Sequence, residues 1–132
     1  MKSSLQPGVR AEARHRVVSQ NLLSSLMPGA PPVFATPWML CVMETAAAEA
    51  IAPHLDAGEA SVGYGFEFQH LAPTPAGMTV VATAEITKVE GNMVTLSIEA
   101  RDDLEVIGKG THVRAVIELA RFDRRLKRKS GG

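Results

Sequence analysis

The chain has 132 residues, 45% hydrophobic and 21% charged, which suits one globular domain with a single core. Fourteen basic residues balance fourteen acidic ones, so no net field draws it to nucleic acid or an anionic membrane. One cysteine, Cys41, excludes an intrachain disulfide and a multi-cysteine zinc site.

Gly8 to Val18 reads as a weakly patterned first strand, and Ser19 to Met27 as a short helix or an irregular lid. No charge occurs from Val17 to Met43. Pro28, Gly29, Pro31, Pro32 and Pro37 nevertheless break that run well short of the ~20 uninterrupted apolar residues of a membrane helix. The opening residues hold no signal-like apolar run, and the expected compartment is the cytoplasm.

The proline-rich stretch delivers the chain to Thr36, a cap residue followed by Pro37 at the first helical position. The helix predicted from Pro37 to about Ala52 is alanine-rich and ends at Pro53 before the Asp56-Ala57-Gly58 turn signal. At 3.6 residues per turn Leu40, Glu44, Ala47 and Ile51 share a side, so Glu44 is expected in the buried stripe. Burying a carboxylate without partners costs several kcal/mol or raises its pKa, and chemistry is one justification for that cost. A structural glutamate bonded to buried backbone or to a partner chain is the other. Cys41 reads as a small apolar filler near the helix start, and Glu49 as solvated.

From Ser61 the residues alternate, with Val62, Tyr64, Phe66, Phe68 and His70 assigned to the inner face. A proline-rich turn follows. Met78, Val80, Ala82, Ala84 and Ile86 then run in phase to the Gly91-Asn92 tip of a hairpin, which returns through Val94, Leu96, Ile98 and Ala100. A last strand spans about Glu105 to Ala120, with Val113, Ala115, Ile117 and Leu119 facing in and Gly108 and Gly110 marking a bulge or bend. His112 and Arg114 then point outward, where solvent, an ion pair or a coenzyme A phosphate could meet them. A basic tail from about Arg121 reads as a solvated end or as help in holding a phosphate-rich ligand.

One strand, one long helix and four antiparallel strands define an α+β chain, expected to form one domain over residues 1–132. The order resembles the hotdog fold, in which a curved antiparallel sheet wraps a central helix and two copies pair into a continuous sheet with ligand sites at the interface. Val33-Phe34-Ala35-Thr36, Met43-Glu44, Gly63, His70 and Gly110-Thr111-His112 leading to Arg114-Ala115-Val116-Ile117 sharpen the likeness. Together they resemble the fluoroacetyl-CoA thioesterase family. The resemblance implies that Thr36, Glu44 and His70 act together in hydrolysing an acyl-CoA thioester and that Gly63 lies by the thioester; Phe34 and Arg114 are further expected substrate contacts.

The residue types suit that chemistry. Thioester hydrolysis needs a nucleophile or activated water, a donor for the developing oxyanion and a proton source for the leaving thiolate. Glu44 can supply the first, His70 can move protons, and the Thr36 hydroxyl or a backbone N–H can donate. Eight residues of ideal helix put Thr36 and Glu44 ~12 Å apart, so their side chains cannot bond directly. A dimer in which His70 or Gly63 comes from the second chain meets this difficulty. The expected partners are therefore acyl-CoA and further copies of the chain, as a homodimer or dimer of dimers, with no cofactor and no metal. A non-catalytic acyl-CoA binding or regulatory module is the alternative. A hotdog hydratase would bring an aspartate–histidine pair, yet no aspartate precedes His54.

Overall fold

The computed structural model describes residues 1–131. Its elements are β1 (Arg10–Arg16), a 3-10 turn (Ser19–Asn21), α1 (Leu23–Leu26), α2 (Thr36–Ile51), a second 3-10 turn (Ala52–His54), β2 (Glu59–His70), β3 (Thr79–Glu90), β4 (Met93–Arg101), β5 (Val106–Glu118) and α3 (Leu119–Lys129). The five strands form one antiparallel sheet in the order β1-β3-β4-β5-β2, with β1 and β2 at its edges. The long helix α2 packs on one face, against all five strands.

Small side chains let helix and sheet approach closely. Val80, Ala82, Ala84 and Ile86 of β3 and Val94, Leu96, Ile98 and Ala100 of β4 are buried against Met39, Val42, Met43, Ala46, Ala47, Ala50 and Ile51 of α2. The β3–β4 hairpin turns at Gly91-Asn92, where Gly91 takes φ +60° and Asn92 Nδ2 donates to the Val116 carbonyl. That left-handed backbone favours glycine.

Two strands run out of the expected phase. Between Gly63 and Gly65 the β2 register shifts by one residue. Phe66, Phe68 and His70 keep their inner row, whereas Tyr64 turns out to 75% exposure instead of joining the core. On β5 the inward row is His112, Arg114 and Val116, all buried, rather than Val113, Ala115 and Ile117, which are half-buried. A register shift opposite Ala100 and Arg101 falls beside Gly108, and β5 ends at Glu118. The basic tail is helical in α3, and Cys41 is exposed rather than a filler.

Gly108 and Gly110 are required by close approach. A Cβ on Gly108 would stand 2.7 Å from the Met39 sulfur, at the free end of a flexible side chain, whereas one on Gly110 would stand 2.4 Å from the Glu67 carbonyl oxygen. Backbone cannot swing aside as a thioether can. Gly110→Ala should therefore cost about 1–3 kcal/mol or more by overpacking, and clearly more than Gly108→Ala. Urea unfolding of both variants checks this; equal losses would contradict it.

Candidate active site

Thr36 is the first residue of α2. The cap position falls to Ala35, and no side chain caps the helix. The Thr36 hydroxyl instead lies 2.8 Å from His70 Nδ1, at the far end of β2. His70 Nε2 is buried with no hydrogen-bond partner among the described residues. Burial holds the His70 imidazole below its ordinary value, the Ala72 backbone acting in the opposite direction.

Glu44 lies two turns along α2 and does not reach that pair. Its side chain is 50% exposed in the single chain, not buried as the helical stripe predicts: Ala47 and Ile51 of that stripe are buried, but the face toward the sheet is centred on Met39, Met43, Ala46 and Ala50 and leaves Glu44 at its edge. Its Oε2 accepts from Arg114 Nη1 at 3.1 Å. The same oxygen fits against Gly63, where a Cβ would stand 2.5 Å away. Gly63 thus leaves the room that the carboxylate occupies.

Arg114 is held on every side. Its Nε donates to Ser61 Oγ at 3.0 Å and its Nη2 to the Ser61 carbonyl at 2.9 Å. Its Nη1 also meets His112 Nε2 at 3.2 Å. A guanidinium only donates, so His112 Nε2 accepts, and the imidazole proton sits on Nδ1, which donates to the Gly65 carbonyl at 2.8 Å. Phe66 stacks on the same ring, with centroids 4.0 Å apart. Burial is the main cause that lowers the His112 pKa; Arg114 lowers it further, while the Gly65 carbonyl and Glu44 pull it up.

The structure therefore brings together Thr36 with His70, and separately Glu44 with Gly63 and Arg114. Phe34 is a core residue at 1% exposure, beside His15. His112 and Arg114 are buried rather than outward, and His112 is the residue that pattern reading misses. The signal available was chemical: a histidine and an arginine two apart on one strand must share a face, and one buried partner for Glu44 requires that face to turn inward.

A curved antiparallel sheet of order β1-β3-β4-β5-β2 around the long helix α2 is the hotdog fold, and comparison with known proteins places the chain among the thioesterases of that fold. The profile of the fluoroacetyl-CoA-specific thioesterases matches residues 17–120. The fluoroacetyl-CoA thioesterase of Streptantibioticus cattleyicolor is 44% identical over 100 residues, covering 76% of this chain and 72% of that protein. A point mutant of the fluoroacetyl-CoA-specific thioesterase superposes with a TM-score of 0.89 at 38% identity, over 97% of this chain and 99% of that one. A thioesterase superfamily member from Thermus thermophilus gives 0.87 at 33% identity, over 96% of each. The chain belongs to the fluoroacetyl-CoA-specific thioesterase family.

Both lowered imidazoles have a consequence for stability. The unfolded chain takes up protons as pH falls through the ordinary value of 6.5, while the folded chain keeps His70 and His112 neutral to lower pH. Stability is thus fully present above pH 6.5 and is lost as pH falls from there toward the depressed folded values. The urea midpoint should fall between pH 7.5 and pH 5.5, and His112→Gln should reduce that fall. An identical pH dependence in that variant would remove His112 from the explanation.

Proposed function

We propose that this thioesterase hydrolyses small acyl-CoA thioesters at a site shared by two chains. One chain contributes Thr36 and His70; the partner subunit's Glu44, Gly63 and Arg114 complete it. The observation that carries this reading is the split within one chain: the Thr36–His70 hydrogen bond at one end of β2, and Glu44 engaged by Arg114 instead of by His70. Edge strand β2 has one row of unpaired backbone groups, available to a second copy. Antiparallel pairing of two such strands about the Gly65 region would bring the His70 end of one beside the Ser61–Gly63 segment of the other.

In this arrangement Glu44 takes the proton of a water molecule that attacks the thioester carbonyl. Both of its side-chain contacts fall on Oε2, which leaves Oε1 as the acceptor. As the carbon–sulfur bond breaks, the proton that Glu44 took from water passes through the Thr36–His70 pair to the departing thiolate, which returns every side chain to its starting state and gives the free acid and coenzyme A. The neutral state favoured by burial of His70 suits a group that must both accept and release a proton near neutral pH. Side chains and water suffice, so the proposal includes no cofactor.

Glu44→Gln should abolish turnover with the fold intact, since shape is kept and the base is lost. His70→Ala and Thr36→Ala should each lower kcat/KM by about 10²-fold or more, the range of general acid–base catalysis. Thr36→Ser, which keeps the hydroxyl, should recover most of the rate. Steady-state hydrolysis of acetyl-CoA with thiol detection measures all four; undiminished turnover in the Glu44 variant would refute the mechanism, and a folded protein that binds acyl-CoA without cleaving it would favour the binding-module reading.

Selectivity should be broad. The segment before Phe34 offers Leu22, Leu23, Leu26 and Met27, with no aromatic ring after Val18, and Leu26 and Met27 are 50% and 61% exposed. Flexible aliphatic side chains separate near-isosteric acyl groups by only ~1–3 kcal/mol. The ratio of kcat/KM for fluoroacetyl-CoA and acetyl-CoA, corrected for intrinsic reactivity, should stay within about two orders of magnitude by that range. A much larger corrected ratio would place discrimination in the site itself.

A further inference from the structure

We propose that α3 is the subsite for the phosphate-bearing nucleotide end of coenzyme A, an inference that rests on the acyl-CoA reading above. Six of the chain's fourteen basic residues lie in this one helix: Arg121, Arg124, Arg125, Lys127, Arg128 and Lys129. Its one acidic residue is Asp123, paired with Lys127 at 3.1 Å. No other ion pair involves the helix among the described residues.

Helix chemistry accounts for only half of these charges. Lys127, Arg128 and Lys129 fall in the last turn, where cations meet the negative end of the macrodipole. Arg121 falls in the first turn, where the macrodipole opposes it and no acidic residue compensates, and Arg124 and Arg125 lie mid-helix, where the macrodipole does not favour them. Arg121 with Arg125, and Arg124 with Arg128, are also like-charge neighbours at i,i+4, which destabilise a helix. Like-charge repulsion works against all three arginines and the macrodipole against Arg121, and a bound polyanion would offset both.

The arginine side chains are exposed and border two open hollows. A groove of about 490 Å³ is lined by Arg121, Arg124, Lys127 and Arg128 alone. A neighbouring groove of about 520 Å³ brings Arg125 and Asn92 together with Arg121 and Arg128. Neither Asp123 nor any other aspartate lines them, and Glu118 enters only the second. Planar guanidinium groups match phosphate oxygens in bidentate geometry.

The helix also follows directly from the strand that carries Arg114. From Arg114 to Glu118, the last residue of β5, is four residues, or roughly 13 Å at strand rise. Pantetheine is the long neutral arm that separates the thioester of coenzyme A from its phosphates. A site with the thioester near the Glu44–Arg114 pair and an arginine cluster beyond the end of the same strand fits a ligand built in that order.

The test compares acetyl-CoA with acetyl-pantetheine, which has the same thioester and arm but no nucleotide, in the wild type and in Arg121→Glu/Arg124→Glu/Arg128→Glu. The expected result is a KM for acetyl-CoA raised at least tenfold, with kcat for both substrates and KM for acetyl-pantetheine unchanged. Equal effects on both substrates, or none on either, would overturn the proposal. Should the triple variant not fold, the wild type still decides: added KCl should raise KM for acetyl-CoA and not for acetyl-pantetheine, and a salt response common to both would overturn the subsite. Calorimetry with coenzyme A and with pantetheine keeps the two readings apart. Wild-type protein that binds coenzyme A through these arginines without hydrolysing either thioester would fail the hydrolase and sustain the subsite. Hydrolysis with no preference for coenzyme A over pantetheine would do the reverse, as would arginine-dependent binding of an RNA oligonucleotide or anionic vesicles in place of coenzyme A.

Discussion

A guanidinium that is only 5% exposed must be matched at each of its donors, and the Arg114 arrangement dictates much of this molecule. Ser61 takes two of its hydrogen bonds, His112 a third, and Glu44 supplies the counter-charge. Each partner imposes a further constraint. The Glu44 carboxylate needs a glycine at position 63, and the His112 acceptor needs its proton on Nδ1 and hence the Gly65 carbonyl. The shift in β2 register lies between those two glycines, so the irregular part of the strand is the part that serves the arginine.

The same arrangement explains why one chain does not form a complete Thr36, Glu44 and His70 constellation. Arg114 draws Glu44 toward the middle of β2, while Thr36 and His70 meet where the start of α2 passes the end of β2. The long axis of α2 keeps the two pairs apart, and a second copy across the β2 edge is the simplest way to join them. The acyl-CoA reading then extends outward in an order set by the strands, with chemistry at the middle of β2 and β5 and positive charge beyond the end of β5.

Much of the fold was legible because its signals are local. Pro37, the alanines of α2 and Pro53 bound a helix observed at Thr36–Ile51, and Gly91-Asn92 turns the hairpin as expected. Alternation failed where a polar row is the inward one. On β5 the apolar Val113, Ala115 and Ile117 outweigh His112 and Arg114 in any count of hydrophobicity, yet the polar pair faces α2 because Glu44 waits there. Tyr64 departs for a different reason: the bulge between Gly63 and Gly65 changes the phase of the strand there, so that Gly63 shares the inward face with Phe66, Phe68 and His70, and nothing in a period of two announces it. Thr36 is legible as a helix-start residue from its neighbours, whereas its association with His70 comes from the family resemblance alone, since that contact joins positions far apart in sequence.

The central claim is that catalysis needs residues from two chains, and subunit complementation tests it most directly. Thr36→Ala and Glu44→Gln proteins, the first expected to keep about a hundredth or less of wild-type activity and the second none, are mixed and allowed to exchange subunits. A mixed dimer then carries one site with both residues intact, so random exchange in a two-fold dimer should restore about a quarter of wild-type activity. Persistent inactivity after exchange has been verified by mass spectrometry would show that Thr36 and Glu44 act within the same chain, and would contradict the account.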